Sequence, residues 1–167
     1  IQTLSEDDKN SFKKFYWKIN DKLIDHEFTT KLRSFDLNLF DKAVQYSKNS
    51  THQKFKIGAI ISTGSTIVSK RTNDMKTHPL QWEYNKAVKQ EWGHNRKSEC
   101  IHAEVAAIIH AKKSTMFNPE KSTIYVGRVS KDTELVYPSI PCLSCFKAIS
   151  ETGIRRIVCY SPTEQII

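Results

Sequence analysis

The sequence predicts an α/β fold built on a mixed sheet, and three observations carry that prediction. Two Ile/Val-rich segments, Phe55 to Ser62 and Thr66 to Ser69, flank Thr63-Gly64-Ser65, the pattern of an antiparallel hairpin. From Glu99 onward, helix, strand, helix and strand alternate, which calls for parallel strands joined by helical crossovers. The chain has 167 residues. That lies in the usual range of about 100–200 residues for one domain, long enough to bury a core without disulfides.

Taken in order, the first expected element is a helix capped by Ser5, with Glu6, Asp7 and Asp8 at its positive end. Phe12, Phe15, Tyr16, Ile19 and Leu23 recur along it at helical spacing, as a core or docking stripe. A second helix opens at Asp36, with Leu37, Phe40, Ala43, Val44 and Tyr46 inward. After the hairpin, residues 70–98 read as a long, basic, irregular stretch in which Pro79 starts a short helix through Lys89. Glu99 to Lys113 is a strong helix with Ile101, Val105, Ile108 and Ile109 on its apolar face. Thr123 to Val129 is a strand, and Cys142 to Glu151 a helix closed by Gly153. Arg155 to Tyr160 is a strand, after which Ile166-Ile167 begins another. The one domain boundary the sequence suggests separates residues 1–35, an N-terminal helical extension, from the domain in residues 36–167.

Bulk properties narrow the function. No apolar run approaches the ~20 residues of a membrane helix, and the acidic, polar start from Ile1 to Asn10 is unlike a signal peptide. The expectation is a cytoplasmic protein with no membrane partner. Two of the four cysteines lie in a Cys-x-x-Cys, and Cys100 and Cys159 are expected to remain reduced. The net charge is +8, yet residues 1–36 hold seven Lys/Arg against seven Asp/Glu. The excess therefore falls on residues 37–167 and suits an anionic partner, a nucleotide phosphate or a nucleic-acid backbone.

Chemistry concentrates in His102-Ala103-Glu104 and Pro141-Cys142-Leu143-Ser144-Cys145. One imidazole and two thiolates make a three-ligand zinc set. Structural zinc sites are closed by four protein ligands, whereas catalytic ones keep a position for water. His102 and Glu104 are two apart and do not share a helical face. At a helix start they can stand on either side of one pocket, His102 on the metal and Glu104 at its water. Cys142 and Cys145 are three apart, so both sulfurs can face one point from the first turn of a helix. The positive end of that helix favours the thiolates zinc needs.

This pair of motifs resembles the zinc-dependent cytidine/deoxycytidylate deaminase superfamily, whose signature is His-x-Glu followed by Pro-Cys-x-x-Cys. The resemblance runs from about Phe40 to Ser161. Gly58-Ala59-Ile60-Ile61 resembles the first family strand, and Gly153-Ile154 through Tyr160-Ser161 the segment after the zinc helix. The run Asn73-Asp74-Met75-Lys76-Thr77-His78-Pro79-Leu80-Gln81 is similar to a bacterial and phage branch of deaminase-like proteins. The resemblance implies a cytidine-deaminase-like three-layer fold with helices flanking the mixed sheet, zinc on His102, Cys142 and Cys145, and Glu104 as the proton carrier. It implies Asn73 as a contact to the substrate sugar, and Ala103, Ser139 and Ile140 as the lining of the base pocket. The implied reaction replaces the amino group at C4 of cytosine by water-derived oxygen, giving uracil and ammonia. One departure is that Val105, Ala106 and Ala107 stand where deoxycytidylate deaminases tend to carry an asparagine.

The expected substrate is thus a cytosine nucleotide or nucleoside. Single-stranded DNA or RNA, with cytosine or adenine as target, is the alternative, resting on Trp82, Tyr84 and Trp92 among the cations of residues 70–97. A non-catalytic interaction module is a third reading, which the intact Glu104 opposes. The N-terminal helices are candidates for docking a partner or forming a homo-oligomer.

Overall fold

In the computed structural model the described residues are 32–92, 100–132, 135–161 and 166. The helix expected to begin at Ser5 and the aromatic stripe through Leu23 lie outside them, as does Ile167. The elements are α1 (Ser34–Ser47), β1 (Lys56–Thr63), β2 (Thr66–Thr72), α2 (Pro79–Trp92), α3 (Ala103–Ala111), β3 (Ser122–Val129), α4 (Leu143–Thr152) and β4 (Arg156–Val158). They form a mixed sheet in the order β2-β1-β3-β4. β1 pairs antiparallel with both β2 and β3, and β3 pairs parallel with β4 across the α4 crossover.

The sheet separates two apolar layers, and strand alternation decides which side chain enters which. Ala59, Ile61, Ile124 and Val126 face the layer built with Val105, Ala107 and Ile108 of α3 and Phe146, Ala148 and Ile149 of α4. Ile60, Tyr125, Val129 and Val158 face Leu39, Phe40, Ala43 and Val44 of α1. Burial on both faces is why β1 and β3 read as apolar runs rather than alternating ones.

Helix α1 lies so close to the sheet that two glycines are required beneath it. Gly58 and Gly127 are directly paired across β1 and β3. A Cβ on Gly58 would stand 2.5 Å from the Ala43 carbonyl oxygen, and one on Gly127 2.5 Å from the Val44 nitrogen. Neither backbone can yield cheaply. Gly153 is needed for its conformation instead, ending α4 in the left-handed region at φ 93°.

Several boundaries differ from the sequence expectation. The stretch after β2 holds a helix of 14 residues, Pro79–Trp92, longer than expected because its polar face hides the periodicity. In α1 Leu39 is buried along with the expected Phe40, Ala43 and Val44, while Leu37 and Tyr46 are half-buried. The helix expected from Glu99 starts only at Ala103, because His102 is extended at ψ 152° and serves as its N-cap. The final strand shortens to Arg156–Val158, and Tyr160 instead bridges Ile166.

Asp36, expected at the mouth of α1, is fully buried and anchors three elements. Its carboxylate accepts hydrogen bonds from Arg156 Nη1 at 2.6 Å, Arg156 Nη2 at 2.9 Å, Tyr125 Oη at 2.8 Å and the Arg33 backbone N–H at 2.9 Å. Burial pushes its pKa up, but the hydrogen bonds from Arg156, Arg33 and Tyr125 outweigh that and hold it well below the usual carboxylate range. A depressed folded pKa contributes stability that is present above the unfolded value of about 3.9 and lost as pH falls below it. Urea unfolding of Asp36→Asn at pH 7 is expected to show a loss of about 3 kcal/mol, the low end for a buried pair, because the Arg156 side chain is 34% exposed. The variant should also lose less stability than wild type between pH 5 and pH 3. Equal slopes in that window would contradict this role for Asp36.

Candidate active site

The approach to α3 is pinned before the helix begins. Ile101 N–H donates to the Lys76 carbonyl at 2.9 Å, Asp74 N–H to the Ile101 carbonyl at 3.2 Å, and Cys100 bridges Thr77. His102 N–H donates to Gln81 Oε1 at 3.0 Å, and Gln81 Nε2 donates to Asn85 Oδ1 at 3.1 Å. Gln81 is fully buried on α2. It is a positioning residue that sequence reading passes over, because nothing local tells a buried glutamine from a solvated one.

His102 turns its Nδ1 toward both cysteines, 3.4 Å from Cys142 Sγ and 3.3 Å from Cys145 Sγ. Cys142 is the N-cap of α4 and Cys145 lies in its first turn. Both thiols therefore sit at the positive end of the helix, where the thiolate is favoured. The three ligand atoms all lie within 4.8 Å of one another. Tetrahedral zinc with ordinary Zn–S and Zn–N bonds sets its ligands about 3.6 Å apart, so these residues fit zinc.

A second observation agrees with that fit. Glu104 is 4% exposed, and its Oε2 has no hydrogen-bond partner. Such an orphan costs about 1–3 kcal/mol or more, which a water at the metal's open position would relieve. Burial pushes the Glu104 pKa up, the charge on His102 pulls it down, and Cys142 pushes it up again.

His102, Glu104 and Cys142 line a cavity of about 550 Å³, whose walls include His52, Lys54, Phe55, Asn73, Arg128, Ser139 and Ile140. The structure thus brings Asn73, Ser139 and Ile140 to the same cavity as the metal ligands. Ala103 is fully buried in the core and does not line it. The polar groups of Asn73 and Ser139 are largely spent on the fold. Asn73 Oδ1 accepts from Ile57 N–H at 3.0 Å and from Ser50 Oγ at 2.5 Å, while Nδ2 donates to the Phe55 carbonyl at 2.8 Å. Ser139 Oγ donates to the Val126 carbonyl at 2.6 Å and accepts from Tyr160 N–H at 2.9 Å.

The other cysteines stay free thiols, as expected. Burial pushes the Cys159 thiol up to about 12, which keeps it protonated. Of the aromatics in the basic stretch, Tyr84 is packed in the core, and Trp82 is 47% exposed with Lys86 Nζ 5.1 Å from its ring. Neither lines the cavity. The side chain of Trp92 lies outside the described residues. Among the described residues, no helix is long and apolar enough to cross a membrane.

Comparison with known proteins agrees with this geometry. The family described as "Cytidine and deoxycytidylate deaminase zinc-binding region" matches residues 33–161. Among solved structures, the cytidine deaminase from Burkholderia pseudomallei aligns with a TM-score of 0.52 at 17% identity, over 78% of this chain and 88% of that one. The dCMP deaminase from the cyanophage S-TIM5, in apo form, aligns with a TM-score of 0.49 at 18% identity, over 75% and 82%. No curated protein sequence matches significantly. The Burkholderia enzyme bears on the fold, which it shares. The family match is what extends over most of the chain and takes in both motifs, so this protein belongs to the cytidine and deoxycytidylate deaminase family.

Proposed function

We propose that the protein is a zinc-dependent hydrolase that deaminates cytosine in a nucleotide or nucleoside. The observation that carries this reading is Glu104, a buried carboxylate with an unpartnered oxygen, on the wall of a cavity it shares with the metal ligands. A closed structural zinc site has no use for such a group. Zinc, when bound by His102, Cys142 and Cys145, supplies Lewis acidity that lowers the pKa of water at its open position.

The chain's own residues supply the rest. With zinc in place, Glu104 would accept one proton of the attacking water and deliver it to N3 as the water oxygen bonds to C4. It would then carry the second proton from that oxygen to the amino group, which leaves as ammonia while the C4 carbonyl forms. Pinned through Gln81 and the Lys76 carbonyl, the start of α3 keeps Glu104 and His102 in a fixed relation, which matters because small misplacements cost large factors in rate. Asn73 and Ser139 shape the cavity chiefly as rigid wall. One hydrogen on Asn73 Nδ2 is left for a sugar oxygen once its other bonds are counted. Ile140 offers an apolar edge to the base.

The test is ammonia release by zinc-loaded protein from dCMP, CMP, dCTP, deoxycytidine, cytidine and single-stranded oligonucleotides carrying cytosine or adenine. Release from the cytosine monomers is expected. Release from oligonucleotides alone would favour the polymer reading, for which the exposed Trp82–Lys86 pair is the supporting feature. Silence across the whole panel would sink the enzymatic proposal.

A further inference from the structure

The rim of the cavity carries a cation whose arrangement none of the chemistry above explains. Arg128 is the penultimate residue of β3 and is half-buried. Its Cζ lies 4.6 Å from the centre of the Phe55 ring and 5.8 Å from that of Tyr137. The segment after β3 folds back to bring Tyr137 there: Ser130 N–H donates to the Leu135 carbonyl, Val129 bridges Val136, and Tyr137 N–H donates to the Arg128 carbonyl at 2.9 Å. His52 also stacks on Phe55, with centroids 5.9 Å apart. Its Nδ1 accepts the backbone N–H groups of Lys54 and Phe55, which fixes the loop that carries the ring.

Both aromatic rings are more than two-fifths exposed, Phe55 at 46% and Tyr137 at 44%. Among the described residues no carboxylate forms an ion pair with Arg128. Two rings and a half-buried setting hold a guanidinium in place, and the protein supplies no described anion for it. Burial also pulls its pKa down, a sign that the charge stands partly desolvated. Lys54, which lines the same cavity, adds a second cation to that wall.

We propose that Arg128, held by Phe55 and Tyr137, is the anchor for the phosphate of the substrate, so that the enzyme prefers a phosphorylated cytosine over the bare nucleoside. The two ring contacts hold the guanidinium without consuming its planar N–H fork. That planar fork matches phosphate oxygens, which a lysine ammonium cannot do. The proposal rests on the deaminase reading for its substrate, but its physical content is phosphate binding.

The experiment compares wild type with Arg128→Lys, Arg128→Gln and Phe55→Ala, all zinc-loaded and full length. The readout is the ratio of kcat/KM for dCMP to that for deoxycytidine. A ratio is unaffected by a lower folded fraction, since both substrates meet the same sample. The wild-type ratio should be about 100 or more, and Arg128→Gln should cut it about 10–100-fold. Arg128→Lys should recover only a minor part, and Phe55→Ala should fall between. A parallel arm measures equilibrium binding of dCMP and of a single-stranded oligonucleotide to Glu104→Gln and to Glu104→Gln/Arg128→Gln. Arg128-dependent binding of dCMP assigns the phosphate to a free nucleotide. The same dependence for the oligonucleotide alone, steep in salt, assigns it to a polymer backbone. Phosphate-dependent binding without ammonia release would keep the anchor and discard the deaminase reading. A wild-type ratio near one, together with binding that ignores Arg128, would overturn the anchor.

Discussion

Glu104→Gln is expected to retain zinc and to lose deamination, with kcat down by about 10²–10⁴-fold, the usual worth of a positioned general acid–base group. The substitution keeps the shape of a side chain that is 4% exposed, so the core around Ala103 and Val105 should not collapse. What it removes is the ability to take a proton and give it back. Glutamine can still hydrogen-bond, and substrate affinity should therefore change much less than kcat. Metal analysis alongside steady-state kinetics checks the prediction. A variant with full zinc content and near wild-type turnover would show that the buried carboxylate is incidental.

Cys145→Ser is expected to have the other large effect, on metal and stability together. Cys145 is fully buried, and its sulfur lies 3.3 Å from His102 Nδ1 in the core shared by α3 and α4. A serine oxygen is shorter, harder and hard to ionise there, so zinc binding should fall from one equivalent to a small fraction. Any ligand that binds only the folded state stabilises it by about 4 kcal/mol at a thousand times its Kd. Wild-type protein stripped by a chelator should therefore melt at a lower temperature and recover when zinc is returned. Cys145→Ser should melt low throughout and ignore added zinc. Identical melting of wild type with and without zinc, at full occupancy, would contradict the coupling of the site to the fold.

The parts legible in the sequence are those whose cause is local. The turn at Gly64, the apolar runs of β1 and β3, the Gly153 stop and the two spaced motifs each depend on neighbours in the chain. In the structure His102 is the extended N-cap of α3, and both it and Glu104 line one cavity despite standing two apart. What stayed hidden depends on residues far apart in sequence. Asp36 reads as a helix-start acid, and only the return of Arg156 and Tyr125 makes it a buried anchor. Gly58 and Gly127 look ordinary until β1–β3 pairing sets them together under α1. Asn73 has the residue type of a substrate contact, yet most of its amide goes to bracing Phe55 and Ile57. Arg128 is one cation among many in a basic chain, and its distinction lies in the rings of Phe55 and Tyr137 brought to it by tertiary structure.

Hydrolysis at the metal centre is the central claim, and isotope incorporation tests it most directly. Zinc-loaded protein is given dCMP in ¹⁸O-water, and both ammonia and the labelled product are quantified. The expected result is one ammonia released for each uracil nucleotide formed, with one ¹⁸O at its C4 oxygen, and neither product from Glu104→Gln. Unchanged dCMP, or ammonia formed without label at C4, would contradict the account.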